Sequence, residues 1–231
     1  ALANDNASSI KVPFGYEAKI CSDDSYGFGF GLCREYSGGG AATVGLDLND
    51  RLSYVRVLPV VTGFQHINYQ GQAQPFSAGK TYRANEGGLG GVNNDMLSSM
   101  RVPRGMKVRI CQHESGGTCA TYTGDVADVG VALNDKTSLV EVHPVVTAFE
   151  HASMRGRSQV FASGTYISTV GTLYNLPNES LSSLSVPTGL KVKVCAEPNG
   201  TGLCRDFGPG EHRAFASDIN DKTSYLLVQV Q

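Results

Sequence analysis

The sequence predicts an all-β protein made of tandem Greek-key β-sandwich domains, and three observations carry the prediction. Segments such as MKVRI (106–110) and LKVKV (190–194) alternate apolar and polar residues with the period of a half-buried strand. Gly, Asn, Asp and Pro interrupt these segments at intervals of about 8–12 residues, as turns do between short strands. The whole pattern then repeats along the chain, which is typical of tandem domains.

The composition limits the classes of function. The chain has 231 residues with a formal net charge of -2, and 41% of them are hydrophobic while 17% are charged. These values are those of a globular protein, and they argue against a nucleic-acid partner, which would require a basic surface. No apolar run approaches the roughly 20 residues of a membrane span. The opening Ala-Leu-Ala resembles the end of a signal-peptide cleavage site.

The repeat is about 85 residues long. VTGFQHINYQG (61–71) returns as VTAFEHASMRG (146–156), and MRVPRGMKVRIC (100–111) returns as LSVPTGLKVKVC (184–195). Asn49, Asn134 and Asn220 begin the similar stretches LNDRLS, LNDKTS and INDKTS, and they lie 85 and 86 positions apart.

Each repeat divides into two halves of about forty residues. NDMLSS (94–99) and NESLSS (178–183) lie midway between the stretches above, and NDNASS occupies 4–9. All six stretches have Asn, then Asp or once Glu, two variable residues and Ser. About four strands fit in one half, which is one Greek key. Two halves packed face to face would bury their apolar faces and form one domain.

The six cysteines form three local pairs. These pairs are Cys21 with Cys33, Cys111 with Cys119, and Cys195 with Cys204. Each pair straddles a Gly-rich turn, and none has zinc-finger spacing. We expect three disulfides within hairpins; three reduced pairs in the core are the alternative. Disulfides would place the protein in an oxidising compartment, so a secreted protein is expected.

Two motifs together carry a family resemblance. Phe64, Tyr69 and Gly71 fit aromatic-x4-aromatic-x-Gly, and NDNASS and NDMLSS fit [Asn/Asp]-[Asn/Asp]-x-x-[Ser/Thr]-Ser. On these residues the chain resembles the βγ-crystallin superfamily along essentially its whole length. The order of its halves resembles that of a spore-coat member. The halves that carry Cys in place of the opening aromatic residue also resemble a family of crystallin-like peptidase inhibitors.

The resemblance implies a domain division. If a domain is an aromatic half followed by a Cys-bearing half, residues 61–145 and 146–231 are complete βγ-crystallin-like domains. Residues 1–60 are then an incomplete first domain, with the end of one Greek key and one Cys-bearing Greek key. Either the chain was cut upstream, or another polypeptide or a second copy of the chain completes this domain, because open strand edges and apolar faces favour association.

The resemblance also implies calcium sites shared between the two halves of a domain. One half supplies the side chain of the second motif residue and the carbonyl of the next, and the other half supplies the Ser hydroxyl, with a further carbonyl from the opening loop. Ca²⁺ prefers such oxygen ligands. The side-chain candidates are Asp5, Asp50, Asp95, Asp135, Asp221, Ser8, Ser53, Ser98, Ser138, Ser182 and Ser224. The carbonyl candidates are Asn6, Arg51, Met96, Lys136 and Lys222. Glu179 stands in an Asp position. The alternative is a structural turn, in which Asn-Asp starts the turn and Ser caps it.

The predicted function is that of a secreted, non-enzymatic, calcium-binding protein with a structural or protective role. No GxSxG or HExxH motif is present, and GFGFG (27–31) lacks the features of a phosphate loop, so no catalytic activity is predicted. One alternative is a protease inhibitor or toxin-like effector that presents loops 22–32, 112–118 and 196–203. The second alternative is a glycan-binding module, and the absence of Trp counts against it.

Overall fold

A computed structural model describes residues 7–23, 30–38 and 40–231. Within these residues the protein is built from β-strands, with three short 3-10 turns at Ile67–Tyr69, Ala84–Glu86 and Ser168–Val170 and no α-helix. The predicted all-β class is therefore confirmed. The predicted ligands Asp5 and Asn6 lie outside the described residues, as does most of the GFGFG stretch. No helix in the described part of the chain is long and apolar enough to cross a membrane.

The described residues contain twenty strands, which are numbered in chain order. The first five are β1 (Ser9–Val12), β2 (Tyr16–Asp23), β3 (Phe30–Ser37), β4 (Gly40–Thr43) and β5 (Tyr54–Pro59). The next seven are β6 (Val61–His66), β7 (Gln70–Phe76), β8 (Thr81–Arg83), β9 (Ser99–Arg101), β10 (Met106–His113), β11 (Gly116–Tyr122) and β12 (Leu139–Pro144). The last eight are β13 (Val146–His151), β14 (Arg155–Phe161), β15 (Gly164–Ile167), β16 (Ser183–Val186), β17 (Leu190–Cys195), β18 (Cys204–Phe207), β19 (Gly210–His212) and β20 (Tyr225–Val230).

The sheet order in residues 146–231 shows how two Greek keys combine. One sheet has the order β14-β13-β16-β19 and the other β15-β20-β17-β18. Strand β15 belongs to the first half in sequence but pairs with β20 of the second half, and β19 makes the opposite exchange. Each half therefore lends one strand to the sheet of the other, which is the predicted Greek-key sandwich. In residues 61–145 one sheet has the corresponding order β11-β10-β12-β8, and the other has three strands in the order β7-β6-β9, with an isolated bridge between Met100 and Val126 in place of a fourth strand.

The described residues form two compact units. One contains the described part of Ala1–Pro103 together with Val108–Val142, and the other contains Arg104–Lys107 and His143–Gln231. The finer division into 1–60, 61–145 and 146–231 stays a prediction.

The core of residues 146–231 follows from the alternating pattern. In β17 the side chains of Leu190, Val192 and Val194 are buried, whereas Lys191 between them is exposed. They pack in a cluster that includes Phe161, which is fully buried. Burying a side chain of this size stabilises a fold by about 1.5–3 kcal/mol, so the period-two pattern fixes which face of the strand turns inward.

The three predicted disulfides are confirmed. Cys21 bonds to Cys33, Cys111 to Cys119, and Cys195 to Cys204, and their Cα atoms lie 4.1, 4.2 and 4.1 Å apart. Each pair joins directly opposed residues of a hairpin, in β2–β3, β10–β11 and β17–β18. The described residues include no free cysteine.

Candidate functional site

The second residue of each described closing motif has a left-handed backbone. The φ angles are 53° at Asp50, 58° at Asp95, 53° at Asp135, 58° at Glu179 and 55° at Asp221. This conformation strains most residues that have a side chain, but Asn and Asp are strained less because their short polar side chains form local hydrogen bonds. The motif therefore places an Asp where the backbone turns sharply.

The first residue of the motif orients that Asp. The side-chain amide of Asn220 donates to Oδ2 of Asp221 at 2.6 Å, and Asn94 donates to Oδ2 of Asp95 at 2.8 Å. The other two described Asn-Asp motifs have the same bond. Since one carboxylate oxygen accepts the amide, the other, Oδ1, is left to face the partner half.

The free oxygen of each Asp meets the motif Ser of the opposite half. The pairs are Ser8 with Asp50 at 3.3 Å, Ser98 with Asp135 at 3.0 Å, Ser138 with Asp95 at 3.2 Å, and Ser182 with Asp221 at 2.8 Å. The backbones support the same pairing, since the Asp95 amide donates to the carbonyl of Thr137, next to Ser138. The structure thus brings together four of the Asp–Ser pairs that the resemblance implies.

A third oxygen joins two of these pairs. Ser98 Oγ lies 2.6 Å from the carbonyl oxygen of Gln65, as well as 3.0 Å from Asp135 Oδ1. Ser182 Oγ likewise lies 2.8 Å from the Glu150 carbonyl and 2.8 Å from Asp221 Oδ1. A hydroxyl has a single proton, so it can donate to only one of its two neighbours at a time.

The spacing of these oxygens suits a calcium ion. Ligand oxygens lie about 2.3–2.6 Å from Ca²⁺, so adjacent ligands of one ion are roughly 3 Å apart. Three converging oxygens with one shared proton form a negative environment that a cation would relieve. The carbonyls of Gln65 and Glu150 lie where the resemblance implies an opening-loop carbonyl, and each residue directly follows the opening Phe, which is the signal that could have identified them.

One site departs from the pattern. Glu179 has the left-handed backbone of the other motifs, and its amide donates to the carbonyl of Thr223. The hydroxyl of Ser224, however, bonds to Oδ1 of Asn178 at 3.1 Å. A neutral amide therefore replaces the carboxylate opposite Ser224, a place for Asn178 that the motif did not indicate.

The Cys-bearing halves position their Ser through the first cysteine. The amides of Ser53, Ser138 and Ser224 donate to the carbonyls of Cys21, Cys111 and Cys195, as Ser98 donates to Phe64. The first Cys thus takes the backbone role of the opening aromatic residue, and the disulfide ties this position to the neighbouring strand.

The aromatic halves use their second Ser in the opening loop. Ser99 donates its hydroxyl to the His66 carbonyl at 2.6 Å and accepts the amide of Tyr69 at 3.0 Å. Ser183 makes the equivalent bond to the His151 carbonyl. The Ser-Ser ending of these motifs is thereby explained, because the first Ser faces the Asp and the second stabilises the loop.

The remaining predicted ligands are the carbonyls of Arg51, Met96, Lys136 and Lys222, and their role stays a prediction. The ammonium group of Lys136 donates to the Val131 carbonyl at 2.9 Å, within its own loop. In the described residues no three His, Cys, Asp or Glu side chains cluster as a metal site. The proposed ligands are mostly hydroxyl and carbonyl oxygens, which differ from that type of cluster.

An ion pair lies beside one of the sites. Arg157 contacts both carboxylate oxygens of Glu150, at 2.9 and 3.1 Å, and its backbone amide donates to the same side chain. These bonds lower the pKa of Glu150 to about 2. Gln65 and Gln72 occupy the equivalent positions in residues 61–145, where the Gln72 amide donates to Gln65.

Fold and site together define a class of protein: tandem Greek-key sandwiches with paired oxygen clusters between their halves. No protein-family profile matches the chain. A betagamma-crystallin domain from Clostridium beijerinckii is 32% identical and spans 36% of this chain and 97% of that domain, with a TM-score of 0.34. A betagamma-crystallin domain from Flavobacterium johnsoniae is 28% identical and spans 37% of this chain and 94% of its own, with a TM-score of 0.35.

A curated relative covers more of the chain. Development-specific protein S of Myxococcus xanthus is 26% identical over 147 residues, which are 62% of this chain and 84% of that protein. The chain is thus similar to βγ-crystallin domains and to protein S, in line with the resemblance that its motifs carry.

Proposed function

We propose that the protein is a calcium-binding βγ-crystallin with a structural or protective role and no enzymatic activity. In this proposal Ca²⁺ bridges the two halves of a domain. The observation that carries it is the convergence of Ser98 Oγ, Asp135 Oδ1 and the Gln65 carbonyl, repeated by Ser182, Asp221 and Glu150. One ion would then bind residues from both halves and hold them together.

A structural role is consistent with the remaining features. Three disulfides brace the hairpins next to the candidate sites. They also support secretion, since disulfides persist in oxidising compartments. The relative from Myxococcus xanthus is described as development-specific, which fits a protein made for a particular stage. The protease-inhibitor and glycan-binding alternatives stay predictions.

Calcium titration of the full chain tests the proposal. We expect saturable heat on adding Ca²⁺ and a rise in Tm that a chelator reverses. At free Ca²⁺ of 100 times Kd, each occupied site adds about 2.7 kcal/mol to the free energy of unfolding. A chain that shows neither heat nor a Tm shift would contradict the proposal and favour the structural-turn interpretation.

A matched pair of variants locates the effect. Ser182→Ala removes a hydroxyl that faces Asp221, whereas Ser180→Ala removes one that bonds to the Pro177 carbonyl in the same loop. We expect the first to reduce the number of bound ions and the second to leave calcium binding unchanged. Equal effects of both variants would show that the binding lies elsewhere.

A further inference from the structure

The disulfide between Cys111 and Cys119 lies one hydrogen bond away from a candidate calcium ligand. The carbonyl of Cys111 accepts the amide of Ser138 at 3.0 Å. The hydroxyl of Ser138 in turn lies 3.2 Å from Oδ1 of Asp95 in the opposite half. A change at the disulfide can therefore reach the Ser through a single backbone contact.

This disulfide takes a place that the aromatic half of the same repeat fills with rings. There the ring of Phe64 meets the edge of the Tyr69 ring at a centroid distance of 5.9 Å. In the Cys-bearing half, Cys111 stands directly opposite Cys119 in the hairpin. Gly116 occupies the place of Tyr69 in that half. The covalent bond thus does for this corner what the two rings do for the other.

The bond also holds the strands close at an interrupted part of the ladder. The Cα atoms of Cys111 and Cys119 lie 4.2 Å apart, whereas opposed residues of antiparallel strands are typically about 4.5–5.5 Å apart. Strand β11 is the edge of its sheet, and the pairing becomes irregular between Cys111 and His113. Two thiols need more room than two bonded sulfurs, so reduction should loosen β11 and the backbone at Cys111, which holds Ser138.

A cation contacts the outer sulfur of this pair. Nη2 of Arg109 lies 3.1 Å from Sγ of Cys119, and the same guanidinium binds Glu141 at 2.8 Å. Cys119 is half-buried, whereas Cys111 is completely buried. A neighbouring cation favours the thiolate form of a cysteine. Because it stabilises the reduced form, the Arg109 contact should make this disulfide easier to reduce.

The disulfide of residues 146–231 provides the comparison. Sγ of Cys204 lies 3.6 Å from the carbonyl oxygen of Gly200. Sγ of Cys119 has a similar neighbour, the carbonyl oxygen of Gly117 at 3.5 Å. Among the described residues, no cationic side chain contacts Cys204 as Arg109 contacts Cys119. The guanidinium is therefore the contact that distinguishes the two sulfurs.

We propose that Cys111–Cys119 is a redox-sensitive site that controls the position of Ser138. It is reduced more readily than Cys195–Cys204, and its reduction weakens the calcium site to which Ser138 belongs. The part that concerns calcium rests on the function proposed above. The susceptibility to reduction and the release of Ser138 do not depend on it.

The reductant is a dithiol, and the exchange balances. One thiolate of the dithiol attacks the half-buried sulfur of Cys119, the bond to Cys111 breaks, and Cys111 leaves and takes up a proton. The second thiol of the reductant then attacks its own sulfur in the mixed disulfide and releases Cys119 as a thiolate beside Arg109. The dithiol loses two electrons and becomes a cyclic disulfide, and the protein disulfide gains them.

Graded reduction of the full chain by dithiothreitol, without Ca²⁺, tests the susceptibility. Free thiols are trapped by alkylation and assigned by peptide mass spectrometry. We expect Cys111–Cys119 to be half-reduced at a concentration at least fivefold below that for Cys195–Cys204. Arg109→Gln should abolish this difference, whereas Lys107→Gln, which removes an equal charge from the same strand, should retain it. Equal susceptibility in the parent chain, or an unchanged difference in Arg109→Gln, would overturn the proposal.

Hydrogen exchange tests the release of Ser138, also without Ca²⁺. In the partly reduced chain the amide of Ser138 should exchange at least tenfold faster than in the oxidised chain. The amide of Ser98, which the Phe64 carbonyl holds, should be unchanged. Cys111→Ala with Cys119→Ala should reproduce the faster exchange without a reductant. Unchanged exchange at Ser138 in the partly reduced chain would overturn the control of this residue by the disulfide.

Calcium calorimetry separates this inference from the proposed function. If the oxidised chain binds Ca²⁺, partial reduction should weaken one site at least threefold and leave the site of Ser98 and Asp135 unchanged. Unchanged binding at every site would overturn the link between the disulfide and calcium. An oxidised chain that binds no Ca²⁺ would contradict the proposed function and this link together, while the reduction and exchange results would still decide whether the disulfide controls Ser138.

Discussion

The two candidate sites of residues 146–231 have similar backbones but different charge. At one site Asp221 faces Ser182 and the Glu150 carbonyl; at the other, Asn178 faces Ser224. Both closing loops have the left-handed turn, at 55° for Asp221 and 58° for Glu179. The turn therefore forms whether or not a carboxylate faces the opposite Ser.

The contrast between Asp221 and Asn178 shows that the backbone of the loop does not depend on the charge that faces the Ser. Backbone hydrogen bonds hold both loops in place, from Asp221 to the Leu181 carbonyl and from Glu179 to the Thr223 carbonyl. Because the affinity of a calcium site depends on the number of charged ligands, the Asn178 site should be the weaker one. In residues 61–145, by contrast, an Asp faces the Ser at both sites.

Removing the carboxylate of Asp221 should have the largest effect on calcium affinity. Asp221→Asn keeps a residue that tolerates the left-handed backbone but eliminates the charge, so calcium affinity at this site should fall about a hundredfold. Calorimetry would report one fewer ion bound per chain at moderate Ca²⁺. Asp206→Asn removes the same charge from an exposed position of strand β18 and should leave calcium binding unchanged. An unaltered stoichiometry in Asp221→Asn would remove this residue from the proposed ligands.

Restoring an Asp at the weaker site, that of Ser224 and Asn178, should raise its calcium affinity about tenfold. Glu179→Asp recreates the Asn-Asp motif, so the carboxylate should face Ser224 and also fit the left-handed turn better than Glu does. We expect one additional bound ion and a larger Ca²⁺-dependent rise in Tm.

The reverse change provides the control for this gain. Asp95→Glu should convert the site of Ser138 into one like that of Ser224, with the loss of one ion. If Glu179→Asp gains no ion while Asp95→Glu loses one, the difference between the sites would lie in the surrounding loop and the carboxylate alone would be insufficient.

Much of the fold could be predicted because its signals are local. The alternating pattern of β17 fixes its buried face, and Cys111 and Cys119 lie in one hairpin, eight positions apart. The repeated Asn-Asp-x-x-Ser stretch located the closing loops, since repeats of one motif occupy equivalent places in one fold, and the family resemblance implied that two such loops would face each other.

The features that could not be predicted from the sequence depend mostly on contacts between distant residues. The bond from Ser224 to Asn178 spans 46 positions, and no local pattern shows that the amide would face the hydroxyl. The bond from Asn220 to Asp221 joins neighbours, but its geometry depends on the left-handed turn. The sequence thus identified the motif, while the division of roles between its Asn and Asp required the three-dimensional structure.

Asn220, which orients the carboxylate of Asp221, should contribute less to calcium affinity than Asp221 itself. Asn220→Ala removes the amide that donates to Oδ2 of Asp221 at 2.6 Å, so the carboxylate becomes freer to rotate. A hydrogen bond to a charged group contributes about 1.5–3 kcal/mol at most, and water replaces part of it, so we expect calcium affinity to fall about three- to tenfold. Asn175→Ala, in an exposed position of the same repeat, is the control for calorimetry. Equal affinities in the two variants would contradict an orienting role for Asn220.

The smallest effect should come from the ion pair between Arg157 and Glu150, which lies beside the site of Asp221 and contributes to stability. Arg157 lowers the pKa of Glu150 to about 2, mainly through side-chain hydrogen bonds. Because the folded-state pKa is depressed, the pair stabilises the protein above the ordinary pKa of Glu, and this contribution disappears as the pH falls through about 2. Arg157→Gln imitates Gln72 of the middle repeat and should return the pKa of Glu150 toward its ordinary value.

The pH dependence makes this last effect measurable. Tm should fall slightly in Arg157→Gln at neutral pH, and the difference from the parent protein should vanish near pH 2. Arg155→Gln removes an equal charge from the same strand and should leave the Glu150 titration, followed by NMR of its carboxyl carbon, unchanged. If the pKa of Glu150 stays near 2 without Arg157, the backbone of the opening loop and not the guanidinium would be its cause, and the middle repeat with Gln65 would then be the more informative comparison.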